Sequence, residues 1–257
     1  MPDIHEIAEY LDTFLDTGST PDYPMALNGL QLENRSEIRG MAAAVDFSNR
    51  AIDGAVAADA NLLVVHHGMF WGGVTPITGP AYRKLRRLVE RDIAVYSSHL
   101  PLDRHPLVGN NVLLAKELGL QPTGTFARFE SIQIGVSGES DTKTASLVSR
   151  VEKFARENGG NVRATPVQAD RVTRRWAICT GSGASAETLK ECEELDIDTL
   201  IVGEGAHWTA VHAEENDLVI VYAGHYATET LGVRALVAHL GERYRLPSTF
   251  ISAPTGL

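Results

Sequence analysis

Apolar residues recur along this chain in two rhythms. Ile4, Ile7, Ala8, Leu11 and Leu15 repeat at helical spacing and predict a helix over Asp3–Asp16. "TGSTPDYP" reads as a loop and "NGLQLEN" as the entry to a short strand. Ile38–Val45 is a run of strand length. The "DFSNRAIDGAVAADA" behind it has an Ala/Val/Ile face, with Ser48 or Asp46 placed to cap a helix. Strands at Asn61–His66 and Ile93–Ser98 follow, with helices at Ala81–Arg91 and at Asn110–Leu118, the latter closed by Gly119. This strand–helix alternation is the signature of a mostly parallel sheet.

The middle breaks the pattern. Ser131–Val136 reads as a strand and Asp141–Asn158 as a helix with Leu147, Val148, Val151 and Phe154 on one face. Gly159 and Gly160 end that helix, and strands are expected at Asn161–Pro166 and Arg171–Thr180. Alternation then resumes. "GSGASAETLKECEELD" is a glycine turn into a helix, Thr199–Val202 a strand, Trp208–Asn216 a helix, Leu218–Ala223 a strand and Thr228–Tyr244 the last long helix. Two α/β lobes are expected, over 1–125 and 126–257, with the seam in "QPTGTFARFE" (121–130) and the 228–244 helix available to pack back on the first lobe. No repeat of 20–50 residues is present.

Composition narrows the class. The 257 residues are 44% hydrophobic and 22% charged, enough for a sizeable core and ordinary for a globular chain. The net charge of −10 argues against nucleic acid or an anionic membrane as the main partner. Two cysteines, Cys179 and Cys192, make no disulfide framework and fit a reducing compartment; Cys179, in an apolar run, reads as core. The acidic opening "MPDIHEIAEYLDTFLD" is not a signal peptide, and no apolar run approaches the ~20 residues of a membrane span. A cytoplasmic location is expected.

Three stretches place metal-ligand side chains just beyond apolar strands. They are His66-His67 in "LLVVHHGMFWGG", His99, Asp103 and His105 in "VYSSHLPLDRHP", and His225 and Glu229 in "VIVYAGHYATETLG". Sites in parallel sheets form outside the carboxyl ends of the strands. Taken singly, each has a plain structural reading as a strand cap, a turn residue or an exposed hydrogen bond. Taken together, His66, His67, Asp103, His225 and Glu229 are five ligands, more than one tetrahedral zinc needs and suited to two divalent ions sharing bridging carboxylates. Successive residues leaving a strand point in different directions, so His66 and His67 can each serve a different ion.

"LLVVHHGMFWGG", "HLPLDRHPLVGNN", "WAICTGSG", "AGHYATETLGVRAL" and "NGLQ" together closely resemble the NIF-three-like family of dinuclear metal-centre proteins, which carry the label GTP cyclohydrolase I type 2 homologue. The resemblance runs from about residue 3 to residue 253. It implies two related α/β lobes facing each other across a cleft, a toroidal homohexamer, and two divalent ions per subunit (zinc, iron or manganese) held by His66, His67, Asp103, His225 and Glu229. The length matches the short, bacterial type.

Other residues carry two readings each. His99 suits proton transfer near the site. His105 and His207 read as metal-site or plain loop and helix histidines. Glu204 reads as a hydrogen-bond support for a ligand histidine or as a cap, and Asp46 as an N-cap. Phe70, Trp71 and Tyr226 could shape a pocket or pack in the core. "TGSG" at Thr180–Gly183 could cradle a phosphate at a helix start. The leading functional expectation is a metal-dependent hydrolase acting on an unidentified small molecule. A metal-storing or interaction assembly and an iron-dependent oxidase are the alternatives.

Overall fold

The computed structural model describes residues 1–256. It divides into two compact units, Met1–Leu102 with Gly232–Ala253, and Asp103–Leu231 with the residues from Pro254 on.

The first unit begins with α1 (Ile4–Phe14), whose Asp3 caps the first turn by accepting from the Glu6 amide. Then come β1 (Gly29–Leu32), β2 (Met41–Asp46), α2 (Asn49–Ala57), β3 (Leu62–His67), α3 (Gly79–Glu90) and β4 (Ala94–Ser97). The one-turn α4 (Leu100–Asp103) follows β4; most of α10 (Thr230–Tyr244) and the short β11 (Ser248–Phe250) complete the unit. The sheet order is β1-β4-β3-β2-β11, with β11, β2, β3 and β4 parallel and β1 antiparallel at the edge. Ala42, Ala44, Leu63, Val65 and Val95 pack on Ala51, Ile52 and Ala55 of α2 and Leu88 of α3. The alternate face carries Tyr96, whose hydroxyl donates to Asp12 of α1 at 2.7 Å. Both faces are covered, which is why β2 and β3 read as unbroken apolar runs.

The second unit holds α5 (Asn110–Glu117), β5 (Gly124–Phe129), β6 (Ile132–Lys143), α6 (Thr144–Glu157), β7 (Arg163–Ala164), β8 (Val172–Cys179), α7 (Ala186–Glu194), β9 (Thr199–Val202), α8 (His207–Glu215), β10 (Val219–Tyr222) and the one-turn α9 (His225–Thr228). Its sheet runs β5-β6-β8-β9-β10-β7. Only β8, β9 and β10 are parallel; β5 and β6 form a hairpin, and β7 pairs antiparallel with β10. Trp176, Ile178, Ile201, Val219 and Val221 face α5 and α6, while Ala177, Cys179, Leu200, Val202 and Ile220 face α7 and α8.

Two features differ from the sequence expectation. Residues 121–130, read as a seam, contain β5, and residue 125 lies inside that strand in the second unit. The expected helix from Thr228 is two pieces, α9 and α10, with Glu229 as the C-cap of α9. Ser185 closes a capping box with Thr188 at the start of α7. Ser185→Ala is expected to cost ~1 kcal/mol and lower the thermal midpoint by about 2–4 °C, as read by thermal denaturation.

Candidate metal centre

In the first unit the chemistry gathers where the parallel strands end. Asp46 and His67 are register partners at the ends of β2 and β3, and Val65 pairs with Ser97 of β4. His66 Nδ1 donates to the Ser98 carbonyl, His67 Nδ1 to the Asp46 carboxylate and His99 Nδ1 to the Asp22 carboxylate, each at 2.8 Å. Carbonyl and carboxylate oxygens only accept, so these rings carry their proton on Nδ1 and, when neutral, their lone pair on Nε2. The rings lie close: centroids are 4.8 Å apart for His66–His67, 4.9 Å for His66–His99 and 5.7 Å for His67–His99. One ring nitrogen from each lies within 4.8 Å of the others.

A loop and a strand edge frame this cluster. Asn28 accepts the His99 amide at 2.7 Å and donates to Asp22 at 2.8 Å, while the Leu100 amide donates to Asp22 at 2.9 Å. Burial pushes the Asp22 carboxyl up, but these donors and His99 outweigh it and hold it below the usual carboxylate range. Gln31 accepts the Met69 amide at 2.6 Å and donates to the Leu27 carbonyl at 2.7 Å, pinning the turn after His67. A Cβ on Gly68 would overlap the Gln31 amide group, so a larger residue after the histidine pair would displace Gln31 from its hold on this turn.

In the second unit the candidate ligands again lie where the parallel strands end. Gly224, at φ 92°, turns the chain from β10 into α9 and sets His225 at its first position. His225 Nδ1 donates to Glu204, just beyond β9, at 2.8 Å, and Nε2 lies 3.2 Å from Glu229. Burial lowers the His225 pKa, but the two carboxylates outweigh it and raise it to about 9. Beside His225 the Glu204 carboxyl is held below its usual range. Gly181, at φ 63°, lets the backbone pass Glu229 where a Cβ would overlap Oε1. Asp103 is buried and accepts from Asn110 at 2.8 Å, and Asn111 ties its carbonyl to the Thr180 amide. Two deeply buried carboxylates, Asp103 and Glu229, cost solvation that a cation recovers.

The remaining expectations sort themselves. Asp46 does not cap α2; Ser48 does, and Asp46 holds His67 instead. Glu204 holds His225, while α8 takes Ala206 as its N-cap. His105 Nδ1 accepts the Leu107 and Val108 amides at 3.2 Å, which makes it a turn residue with the opposite tautomer from the cluster histidines. His207 is exposed at the start of α8, and Tyr226 is buried. Trp71 is half-exposed, 5.0 Å from His67 and edge-on to His99 at 4.6 Å, so it walls the cluster; Phe70 is exposed. In the "TGSG" turn Asn111 takes the Thr180 amide at 2.8 Å, Thr228 takes the Gly181 amide at 3.1 Å, and Ser182 braces Glu204 at 2.9 Å. Burial pushes both thiols up, Cys192 to about 12, and neither is a nucleophile. Sequence reading missed Asp22, whose only signal is a carboxylate in a loop six residues before Asn28.

Comparison with known proteins follows the same residues. A sequence model of the Duf34/NIF3 (NGG1p interacting factor 3) family matches residues 2–255. A Deinococcus radiodurans protein named GTP cyclohydrolase 1 type 2 homolog is 36% identical over 254 residues, covering 98% of this chain and 94% of its own. A Pyrococcus horikoshii protein of the same name is 39% identical over 258 residues, covering 99% and 100%. The crystal structure of TTHA1606 from Thermus thermophilus matches with a TM-score of 0.83 at 33% identity, over 99% of this chain and 100% of that one. Among the described residues, no helix is long and apolar enough to cross a membrane.

Proposed function

The chain belongs to the Duf34/NIF3 family, and from that premise we propose that it is a divalent-metal protein and a metal-dependent hydrolase of a small molecule. One observation carries the reading. His66, His67 and His99 each give Nδ1 to an oxygen that only accepts, which leaves Nε2 as the ligand nitrogen, and His225 gives Nδ1 to Glu204 and turns Nε2 toward Glu229. Metal-binding histidines are oriented in this way by carboxylates and carbonyls behind them. The donor set fits a pair of divalent ions, zinc, iron or manganese, with His66, His67, Asp103, His225 and Glu229 as ligands. Two such ions supply Lewis acidity and a more acidic water.

The chain's own residues do the rest. Asp46, Glu204 and the Ser98 carbonyl fix the ring orientations, Gly68 and Gly181 clear space beside the ligands, and Trp71 shields one side of the histidine cluster. Ring opening of a cyclic amide-like substrate, as the relatives' printed name suggests, is one case of such hydrolysis. We extend the reading to a toroidal homohexamer in which two facing lobes share the ligands.

Elemental analysis of the purified protein tests it. The expected result is two divalent equivalents per chain, with His67→Ala losing metal and keeping its fold; a screen of cyclic amides and phosphoesters then finds turnover that chelation abolishes. Metal-free protein that takes up no divalent transition ion overturns the proposal.

A further inference from the structure

Two exposed aromatic side chains stand beside the histidine cluster, and their flat faces have no part in holding a metal. Trp71 is 38% exposed on the loop that follows β3. Its ring meets His99 edge-on, at 67° and 4.6 Å, and is tilted at 46° to His67 at 5.0 Å. Neither contact is a parallel stack, so the broad face of the indole is left open. Among the described residues no third ring contacts Trp71, and its indole N–H donates to no protein acceptor. Tyr23, 50% exposed, comes from the loop between α1 and β1, and its ring lies 6.0 Å from His99 at 44°. Its backbone amide donates at 2.7 Å to Asp22, the residue that holds His99. The two loops meet, since Met25 Sδ would stand 3.4 Å from a Cβ on Gly73. Met25, Leu27 and Phe70 are exposed as well. The result is an apolar, aromatic rim beside a floor of imidazole nitrogens, the makeup of a small-molecule site.

We propose that Trp71 and Tyr23 recognise the substrate by stacking, and that the substrate is a planar, unsaturated nitrogen heterocycle. The proposal rests on the reading of the chain as a metal-dependent hydrolase and deepens it, by narrowing the cyclic amide to a flat, conjugated one. A conjugated ring presents a π face to an indole, and stacking of a flat base on an aromatic side chain is worth ~5–150-fold in affinity. A saturated ring is puckered, and its out-of-plane hydrogens hold it off that face. The open indole N–H adds a donor for a carbonyl or nitrogen at the ring's edge. A protein partner is the poorer occupant. It would seal the imidazole nitrogens from the ion and the water that hydrolysis needs, whereas a small ring covers the aromatic faces and leaves the floor within reach.

Uracil and 5,6-dihydrouracil are the probes, because they share two carbonyls and two ring N–H groups and differ in the flatness of the ring. Hypoxanthine is the larger flat ring. Trp176 is buried and Trp208 exposed, so Trp208→Phe is the background in which indole fluorescence reports on Trp71. Zinc-loaded protein is titrated with each compound, and binding to the Trp71 and Tyr23 variants is read by equilibrium dialysis. The expected result is that both flat rings quench the fluorescence, hypoxanthine binds tighter than uracil, and dihydrouracil binds at least ~5-fold more weakly than uracil. Trp71→Leu lowers flat-ring affinity ~5–150-fold while holding as much zinc as wild type, and Trp71→Phe recovers most of the loss. Tyr23→Leu lowers the affinity as well. If uracil and dihydrouracil bind alike, if no flat ring binds, or if Trp71→Leu binds flat rings as wild type does, the stacking proposal is wrong and the metal-hydrolase reading stands. If Trp71→Leu and Tyr23→Leu change the sedimentation of the protein and not its ring binding, the rim is a contact between copies and the proposal falls. If wild type holds no zinc, the reading beneath it falls too.

Discussion

Glu229→Gln is expected to strip most of the bound metal from the protein while leaving a folded chain. Glu229 is 2% exposed, and its carboxylate lies 3.2 Å from His225 Nε2. Glutamine keeps the size of the side chain and can still accept from His225, so shape survives and charge does not. A buried carboxylate is costly for the fold to carry. Its removal therefore leaves the metal-free protein within about 1–2 kcal/mol of wild type, or a few degrees in thermal midpoint. The metal would respond differently, because a neutral amide does not offset the charge of a dication. Loss of even a residue that only orients a ligand costs ~10–100-fold in metal affinity, and loss of a carboxylate that would itself hold the metal costs at least that. Elemental analysis beside thermal melting in chelator separates the two effects. Unchanged metal content in the variant would remove Glu229 from the ligand set.

The strand-end histidines and carboxylates were legible in the sequence for a physical reason. β2, β3, β9 and β10 are buried on both faces, so their residues form apolar runs, and a polar side chain at the end of such a run stands out. Glu204 was visible as a support in the same way. The strands that were not read depend on partners. β5 is exposed over its first two residues and pairs only with the outer strand β6. β11 is three residues long and is a strand only because Ser248–Phe250 lie parallel to Met41–Ala43. Asp22 was invisible for a different reason: its loop has no period, and its partner His99 is 77 positions away. The "NGLQ" motif was noticed as a resemblance, yet its work, Asn28 on Asp22 and His99 and Gln31 on Met69, is a matter of tertiary contacts.

Metal affinity is expected to rise about tenfold per pH unit up to about pH 9 and then level off, with the proton on His225 as the competitor. Burial alone would lower the pKa of this histidine, but Glu229 at 3.2 Å and Glu204 at 2.8 Å hold the charged ring and raise it from 6.5 to about 9 in the metal-free fold. A ligand imidazole must be neutral, so near pH 7 the ion has to displace a proton at a cost of ~100-fold in apparent affinity. The same shift sets the stability of the metal-free chain in the opposite sense. The folded pKa lies above the unfolded one, so the His225 contribution is fully present below about pH 6.5 and is lost as pH rises through about 9. Metal-free protein therefore becomes less stable across that window, while loaded protein gains from tighter binding. Zinc or cobalt titrations at stepped pH, beside thermal melts with and without chelator, read both slopes. Glu204→Gln removes one of the carboxylates that hold the proton, and so moves the knee of the affinity curve to lower pH. An affinity that is flat between about pH 7 and 9 would mean either that His225 is not a ligand or that Glu229 and Glu204 do not hold it protonated in the metal-free fold.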